Sequence, residues 1–311
     1  MAGAGLFQRH LALLPHEEQQ QVLEFLQPAD QFRALASRIM QRCAVVAALG
    51  VAWREVALGR TKGRKPFTTN AKPPHAPNFN FNVSHEGRYV VLAAEPLALV
   101  GVDVAAPRSA RPGPAAARPL EQHLQLFRPQ LSDSEWAMLE GLAGSAEQQE
   151  SAFQSLWCLK EAFIKARGDG LGFSPLSRAA FELQPPNAAA AAPSGDEESQ
   201  SLMPVVAAAA AAAPASGIHS TLKYAKLVLD GVRQPRWRFQ LHMLPGGHCA
   251  AVALGPAAEA VDEWGVFTAT LGLPGYAPDP YPDPDNTIAA SPTFQVTSLR
   301  ELLVQAEAAE L

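Results

Sequence analysis

Polar and apolar residues alternate through Asn78-Phe79-Asn80-Phe81-Asn82-Val83-Ser84, a period of two that predicts a half-buried strand. Apolar runs at 89–94 and 99–104 predict two more strands joined around Pro96. Upstream, residues 16–48 place Leu35, Ile39, Val46 and Leu49 at core spacing and predict one or two helices broken near Pro28. Helical patterning resumes at Ser132, which with Glu135 three residues on forms a capping box. The main helix of this part runs from about Ser151 to Arg167 and stops at Gly168, a suitable C-cap. Residues 181–183, 226–229, 237–242 and 249–254 are candidate strands.

Breaks in this pattern divide the chain. Residues 106–119 are rich in Pro, Ala and Arg and read as a linker. Residues 185–217 are an alanine and proline tract with serine and acidic residues, expected to be a disordered insertion. The tail after Gly255 is expected to be largely unstructured, above all the Pro- and Asp-rich 274–285, with a short helix near 298–309.

Composition changes this picture little. The 311 residues suffice for one large or two small domains, although the 48% apolar content is inflated by alanine tracts. A net charge of −5 argues against a general binder of nucleic acid or membrane surfaces. Cys43, Cys158 and Cys249 lack paired spacing, so a disulfide framework or structural zinc is not expected and a reducing compartment is favoured. The longest apolar run, 205–213, falls far short of the roughly 20 residues a membrane span needs. With no signal-peptide core at the N-terminus, a soluble, cytosolic protein is expected.

Candidate chemistry lies on two of these elements. In Leu99-Val100-Gly101-Val102-Asp103-Val104 a lone carboxylate faces away from three valines, and Gly101 permits close approach of backbone or ligand. On the helix, Ala152, Leu156, Leu159, Phe163 and Ala166 form an apolar seam, with Glu161 and Lys165 just off its edge. A Glu–Lys pair at that spacing is by default a surface pair worth about 0.3–0.5 kcal/mol. Lys160, however, falls inside the apolar arc, where an ammonium without a partner is costly. Ser84-His85-Glu86 ends its strand at the level of Asp103, and 60–65 holds four basic residues in six. Two carboxylates on separate rigid elements with lysines beside them make a seat for a hard divalent cation and a phosphate ester.

The order of these features carries a resemblance. A basic loop, Asn-Val-Ser-His, Gly-Val-Asp-Val, Trp157-x-x-Lys160-Glu161-x-x-x-Lys165 and Gly170-Leu171-Gly172-Phe173 together resemble the 4′-phosphopantetheinyl transferases, in particular their single-chain, two-half class found in animals. It extends from about Pro15 to Leu254. The resemblance implies an α+β pseudo-dimer of two similar halves with the site in the cleft between them: an N-terminal half at 1–107, a linker at 108–120, a C-terminal half at 121–255 and a tail at 256–311. It implies Mg²⁺-dependent transfer of phosphopantetheine from coenzyme A to a serine of an apo acyl or peptidyl carrier protein, releasing adenosine 3′,5′-bisphosphate, by a monomer. In that reading Asp103 and Glu161, with Glu86 as a third ligand, hold the metal, and Glu161, Lys165 and Lys160 are catalytic. Arg60, Lys65 and His85 meet the 3′-phosphate and the phosphate next to it. The coenzyme also contacts Thr61, Lys62, Gly63, Arg64, Asn82, Val83 and Ser84. The carrier is left open among fatty-acid, polyketide, peptide-synthetase and aminoadipate-reductase types.

Some positions depart from the family pattern. The opening strand of the family is expected to be missing, Gln21 stands where animal members have a coenzyme-binding Arg, and Glu86 replaces a Gln. These departures motivate an alternative, a degenerate relative that grips coenzyme A or carrier without catalysis; the intact Asp103, Glu161 and Lys165 oppose it. An unrelated Mg²⁺-dependent phosphodiesterase would call for Asp-x-Asp pairs or a glycine-rich phosphate loop, and neither occurs.

Overall fold

A computed structural model describes residues 2–110, 118–183, 206–209, 222–278 and 295–310. The chain runs α1 (Ala2–Leu11), α2 (His16–Leu23), α3 (Pro28–Leu49), β1 (Leu58–Arg60), β2 (Pro66–Thr68), β3 (Asn80–Glu86), β4 (Tyr89–Glu95), β5 (Leu99–Ala105), α4 (Leu120–Phe127), α5 (Asp133–Gly141) and α6 (Ala146–Arg167). It continues through β6 (Ala179–Leu183), β7 (Val206–Ala209), β8 (Leu222–Leu229), β9 (Val232–Arg233), β10 (Arg238–Leu244), β11 (His248–Gly255), β12 (Gln295–Ser298) and α7 (Leu299–Glu310). Each half presents one 22-residue helix to its strands: α3 packs on β3 and β4, α6 on β5 and β11. Both helices end on a glycine in the left-handed region, Gly50 at φ 66° and Gly168 at φ 97°, where other residues are strained.

Beside the two-stranded β1-β2 sheet, one larger sheet has the order β12-β7-β4-β3 and the second β5-β11-β10-β8-β6, with β9 on β8. Val90, Leu92 and Ala94 of β4 face the first core with α1 and α3, while Tyr89, Val91 and Ala93 meet Val100, Val102 and Val104 of β5. The second core lies between α4–α6 and the other sheet, around Phe163, Trp237 and Phe239. Strand β5 therefore belongs by pairing to the second sheet, and the crossover between halves falls at residues 96–98 rather than at 107.

The alternation along β3 has a different outcome from the one expected. Its polar positions are buried as well as its apolar ones, because they face β5 instead of water. The Oδ1 atoms of Asn80 and Asn82 accept from the amides of Val100 and Val102 at 3.0 and 2.9 Å, and Glu86 Oε2 accepts from Ala106 at 2.8 Å. Side chains thus do the work of a neighbouring backbone along this edge of β5. On its opposite face Gly101 lies under α6, where a Cβ would come within 2.1 Å of the Ala162 carbonyl oxygen.

Two expectations of disorder need correction. Within 185–217, Val206–Ala209 forms a strand antiparallel to β4, and the rest lies outside the described residues. The tail is not loose through 256–278: Phe267 is wholly buried, and Gly272 donates to the Pro77 carbonyl at 2.9 Å. The helix expected near 298–309 is α7, whose Leu302, Leu303 and Ala306 join the first core.

Asn80 also donates through Nδ2 to the carbonyls of Asn78 and Ala98 at 3.0 and 2.7 Å. Asn80→Leu is expected to lower the unfolding free energy by about 1–3 kcal/mol for each buried partner left unmade, measured by urea denaturation.

Candidate functional site

A cleft of about 1310 Å³ separates the halves, walled by α3, the 60–65 loop, the end of β3 and one face of α6. At its floor Ser84 Oγ donates to Asp103 Oδ1 at 2.8 Å. Lys165 Nζ reaches the same oxygen at 2.5 Å and Ser84 Oγ at 3.0 Å. Three elements meet here: β3 brings Ser84, β5 brings Asp103, and α6 brings Lys165. Glu161, one turn before Lys165, lines the cleft half-buried.

The charges are coupled. Burial and then the Asp103 carboxylate raise the pKa of Glu161, with Lys165 opposing. Burial alone would depress Lys165, but Asp103 and then Glu161 overcome this and hold it above the ordinary lysine value. Lys165 therefore stays cationic, whereas Glu161 is a stronger base than a free carboxylate. A hard dication such as Mg²⁺ fits this pair, since it relieves the mutual repulsion of two carboxylates and needs no more than one or two of them beside phosphate oxygens and waters. A three-carboxylate seat does not form: no group of three potential ligands occurs among the described residues. Glu86, expected as the third ligand, spends Oε2 on the Ala106 amide instead.

The basic loop is the turn of the β1–β2 hairpin. Thr61 and Lys65 close it, with Thr61 N donating to the Lys65 carbonyl at 3.0 Å and Lys65 N to Thr61 Oγ1 at 3.1 Å. Arg60, Gly63 and Arg64 line the cleft, as do Asn82, Val83, Ser84 and His85. Thr61 is buried inside the turn, and Lys62 turns outward to Glu263 at 2.6 Å. His85, at the rim, has its pKa lowered by partial desolvation, then by Arg33 and Lys165, so it is neutral at pH 7 and meets a ligand as a hydrogen-bonding group.

Two lysines expected at the site are committed elsewhere. Lys65 borders the cleft but is buried, and its Nζ donates to the carbonyls of Val100 and Lys165 at 2.7 and 2.8 Å. Lys160 is wholly buried on the far side of α6, paired with Glu135 Oε2 at 2.8 Å and bonded to the Leu176 and Ala179 carbonyls. Its place in the apolar arc required a partner, and Glu135, the capping-box residue, supplies it while also accepting from the Phe181 amide at 2.9 Å. Lys160 is thus held in the second core and does not line the cleft.

Sequence reasoning missed Arg38. It lines the cleft from α3, and its Nη2 donates to Gln21 Oε1 at 2.9 Å. Burial and the neighbouring Arg60 lower its pKa against the pull of Glu18. The glutamine that stands in place of an arginine thus presents a guanidinium from the next helix. The only signal in the sequence was a charge beside Leu35 and Ile39 on an otherwise core-facing stretch.

Comparison with known proteins follows the same division. Residues 4–97 match the family model for the N-terminal part of 4′-phosphopantetheinyl transferase, and residues 99–209 match that of the 4′-phosphopantetheinyl transferase superfamily. The chain is 31% identical over 238 residues to the L-aminoadipate-semialdehyde dehydrogenase-phosphopantetheinyl transferase of Homo sapiens, which covers 76% of this chain and 66% of that protein. Similarity to a phosphopantetheinyl transferase of Thraustochytrium sp. is 34% over 244 residues, 78% of this chain and 70% of the relative. A 4′-phosphopantetheinyl transferase of Bacillus subtilis is 28% identical over 181 residues, 58% of this chain and 71% of the relative. The chain spans 66% of the length of the Pongo abelii and Homo sapiens relatives it matches.

Burial lowers the pKa of Lys65 to about 7, against an ordinary value of 10.5. Between these values the unfolded chain holds a proton that the native state has released, so this lysine makes stability rise with pH across that window. The difference in unfolding free energy between wild type and Lys65→Met is expected to grow from pH 7 toward pH 10 in urea melts. A difference independent of pH would show that Lys65 does not titrate there.

Proposed function

The chain belongs to the 4′-phosphopantetheinyl transferase superfamily, and on that premise we propose that it transfers 4′-phosphopantetheine from coenzyme A to a serine of an apo carrier protein with Mg²⁺, releasing adenosine 3′,5′-bisphosphate. The observation that carries this reading is the convergence of Ser84 and Lys165 on the buried Asp103 carboxylate at 2.5–3.0 Å, at a cleft lined by Ser84, Lys165 and Glu161.

The reaction breaks one bond of the coenzyme diphosphate and forms a phosphodiester to the serine oxygen. Asp103 and Glu161 would hold Mg²⁺, which when bound neutralises the negative charge of the diphosphate. Glu161, directly or through a water, takes the proton from the serine hydroxyl as the oxygen attacks phosphorus. Lys165 keeps its proton and faces the charge that develops on the leaving bisphosphate. Ser84, bonded to both Asp103 and Lys165, fixes their orientation. Arg60, Arg64 and Arg38 provide guanidinium groups for the 3′-phosphate end, where planar donors suit phosphate oxygens. His85 adds a neutral hydrogen bond at the rim.

Incubation with coenzyme A, Mg²⁺ and an apo carrier is expected to add one phosphopantetheine mass to the carrier serine, read by mass spectrometry. Absence of the adduct across several carrier types would leave the non-catalytic binding reading. Glu161→Gln is expected to cost roughly 10²–10³ in kcat, the scale of losing one aimed electrostatic group, while coenzyme A binding by calorimetry persists.

A further inference from the structure

We infer that residues 256–273 form an intramolecular clamp that presses the 60–65 loop onto the C-terminal end of α6 and so sets the phosphate-binding end of the cleft. The part of this inference that concerns coenzyme A rests on the function proposed above. The segment lies beyond both matched family segments, which end at residue 209.

The clamp starts where α6 stops. Val261 donates its amide to the Arg167 carbonyl at 2.8 Å, satisfying one of the terminal carbonyls that a helix leaves open. Three backbones then stack without side chains between them. A Cβ on Gly168 would come within 2.8 Å of the Val261 carbonyl oxygen, and one on Gly63 within 2.4 Å of the Gly168 carbonyl oxygen. The loop thus rests on the helix cap, and the cap rests on the clamp.

Side chains hold the loop from two sides. Outside, Lys62 pairs with Glu263 at 2.6 Å. Inside, Lys65 Nζ lies 5.8 Å from the centre of the Phe267 ring, against its face. Asp262 Oδ2 accepts from the amides of Phe267 and Thr268 at 2.6 and 3.1 Å, fixing the turn that sends Phe267 inward. There Phe267 packs with Phe67, Leu99, Ala257 and Leu271 in a core of its own, drawn from the hairpin, β5 and the clamp.

Both ends of the segment are anchored, one in each half. Glu259 Oε2 accepts from Trp237 Nε1 at 2.8 Å. At the far end Lys72 Nζ donates to Thr270 Oγ1 at 2.8 Å, and the Asn78 side chain bonds the Leu273 backbone in both directions at 2.8 Å. A segment fastened to both halves, with the loop in between, restrains that loop rather than following it.

The test uses the full chain with substitutions in the clamp. In Phe267→Ala, amide hydrogen exchange at 61–65 is expected to accelerate roughly tenfold or more, while peptides from the middle of α6 keep wild-type protection. The KM for coenzyme A is expected to rise by a similar factor with kcat held within about two-fold, the signature of lost positioning. Phe267→Leu, which keeps apolar bulk but removes the ring, should give a smaller change in the same direction and serves if the alanine variant does not fold. Lys62→Glu should raise exchange about two- to five-fold, as an exposed ion pair allows, and adding Glu263→Lys should restore protection. Unchanged loop protection in a folded Phe267 variant would overturn the clamp. Faster exchange with an unaltered KM would overturn its role in coenzyme binding. If the wild-type chain binds no coenzyme A, the function proposed above fails, while the exchange result still decides the clamp.

Discussion

Helix α6 can lie against β5 only because residue 101 has no side chain. Any Cβ there would enter the helix backbone at Ala162 and Ala166, at 2.1 and 2.3 Å from their peptide atoms. The close approach brings Lys165 within reach of Asp103, two residues along the same strand and on the same face. On its other side β5 meets the side chains of β3, so the strand is fixed from both directions before any ligand arrives. Ser84 completes the arrangement by bonding both members of the ion pair. The geometry of the cleft floor thus follows from backbone packing, and the charged groups inherit it.

Three lysines show how burial separates roles that look alike in sequence. Lys160 meets Glu135 in the second core, where the pair is satisfied by backbone groups on both sides. Lys65 has only carbonyls and an aromatic face, which leaves its proton weakly held. Lys165 sits between two carboxylates and holds its proton firmly. Only the last combines a stable positive charge with access to the cleft. A buried ion pair such as Lys160–Glu135 is weak evidence for stability, but removing one member would strand the other in the core.

The strands and long helices were legible because their periodicity is strong. The helix break at Pro28, the Ser132 capping box and the Gly168 cap all lie where the sequence places them. The carboxylate of Asp103, opposite three valines, does face α6. What the sequence could not reveal were pairings between remote residues. Whether Lys160 meets Glu135, or Arg38 meets Gln21, depends on helix packing that no local pattern encodes. The polar face of β3 misled for a related reason: alternation shows that one face is polar but not what that face looks upon. The segment after Gly255 looked unstructured because its few buried residues, Ala257, Phe267 and Leu271, follow no period.

The polar rungs of β3 have one more consequence. They engage β5 through side-chain oxygens, while β5 takes its backbone pairing from β11 in the other half. Neither half contains a complete set of partners for that strand. Drawing the halves apart would strip buried amides from their acceptors in a row, at a cost that climbs with every rung. The two halves are therefore tied along β5, the strand that forms the floor of the cleft between them.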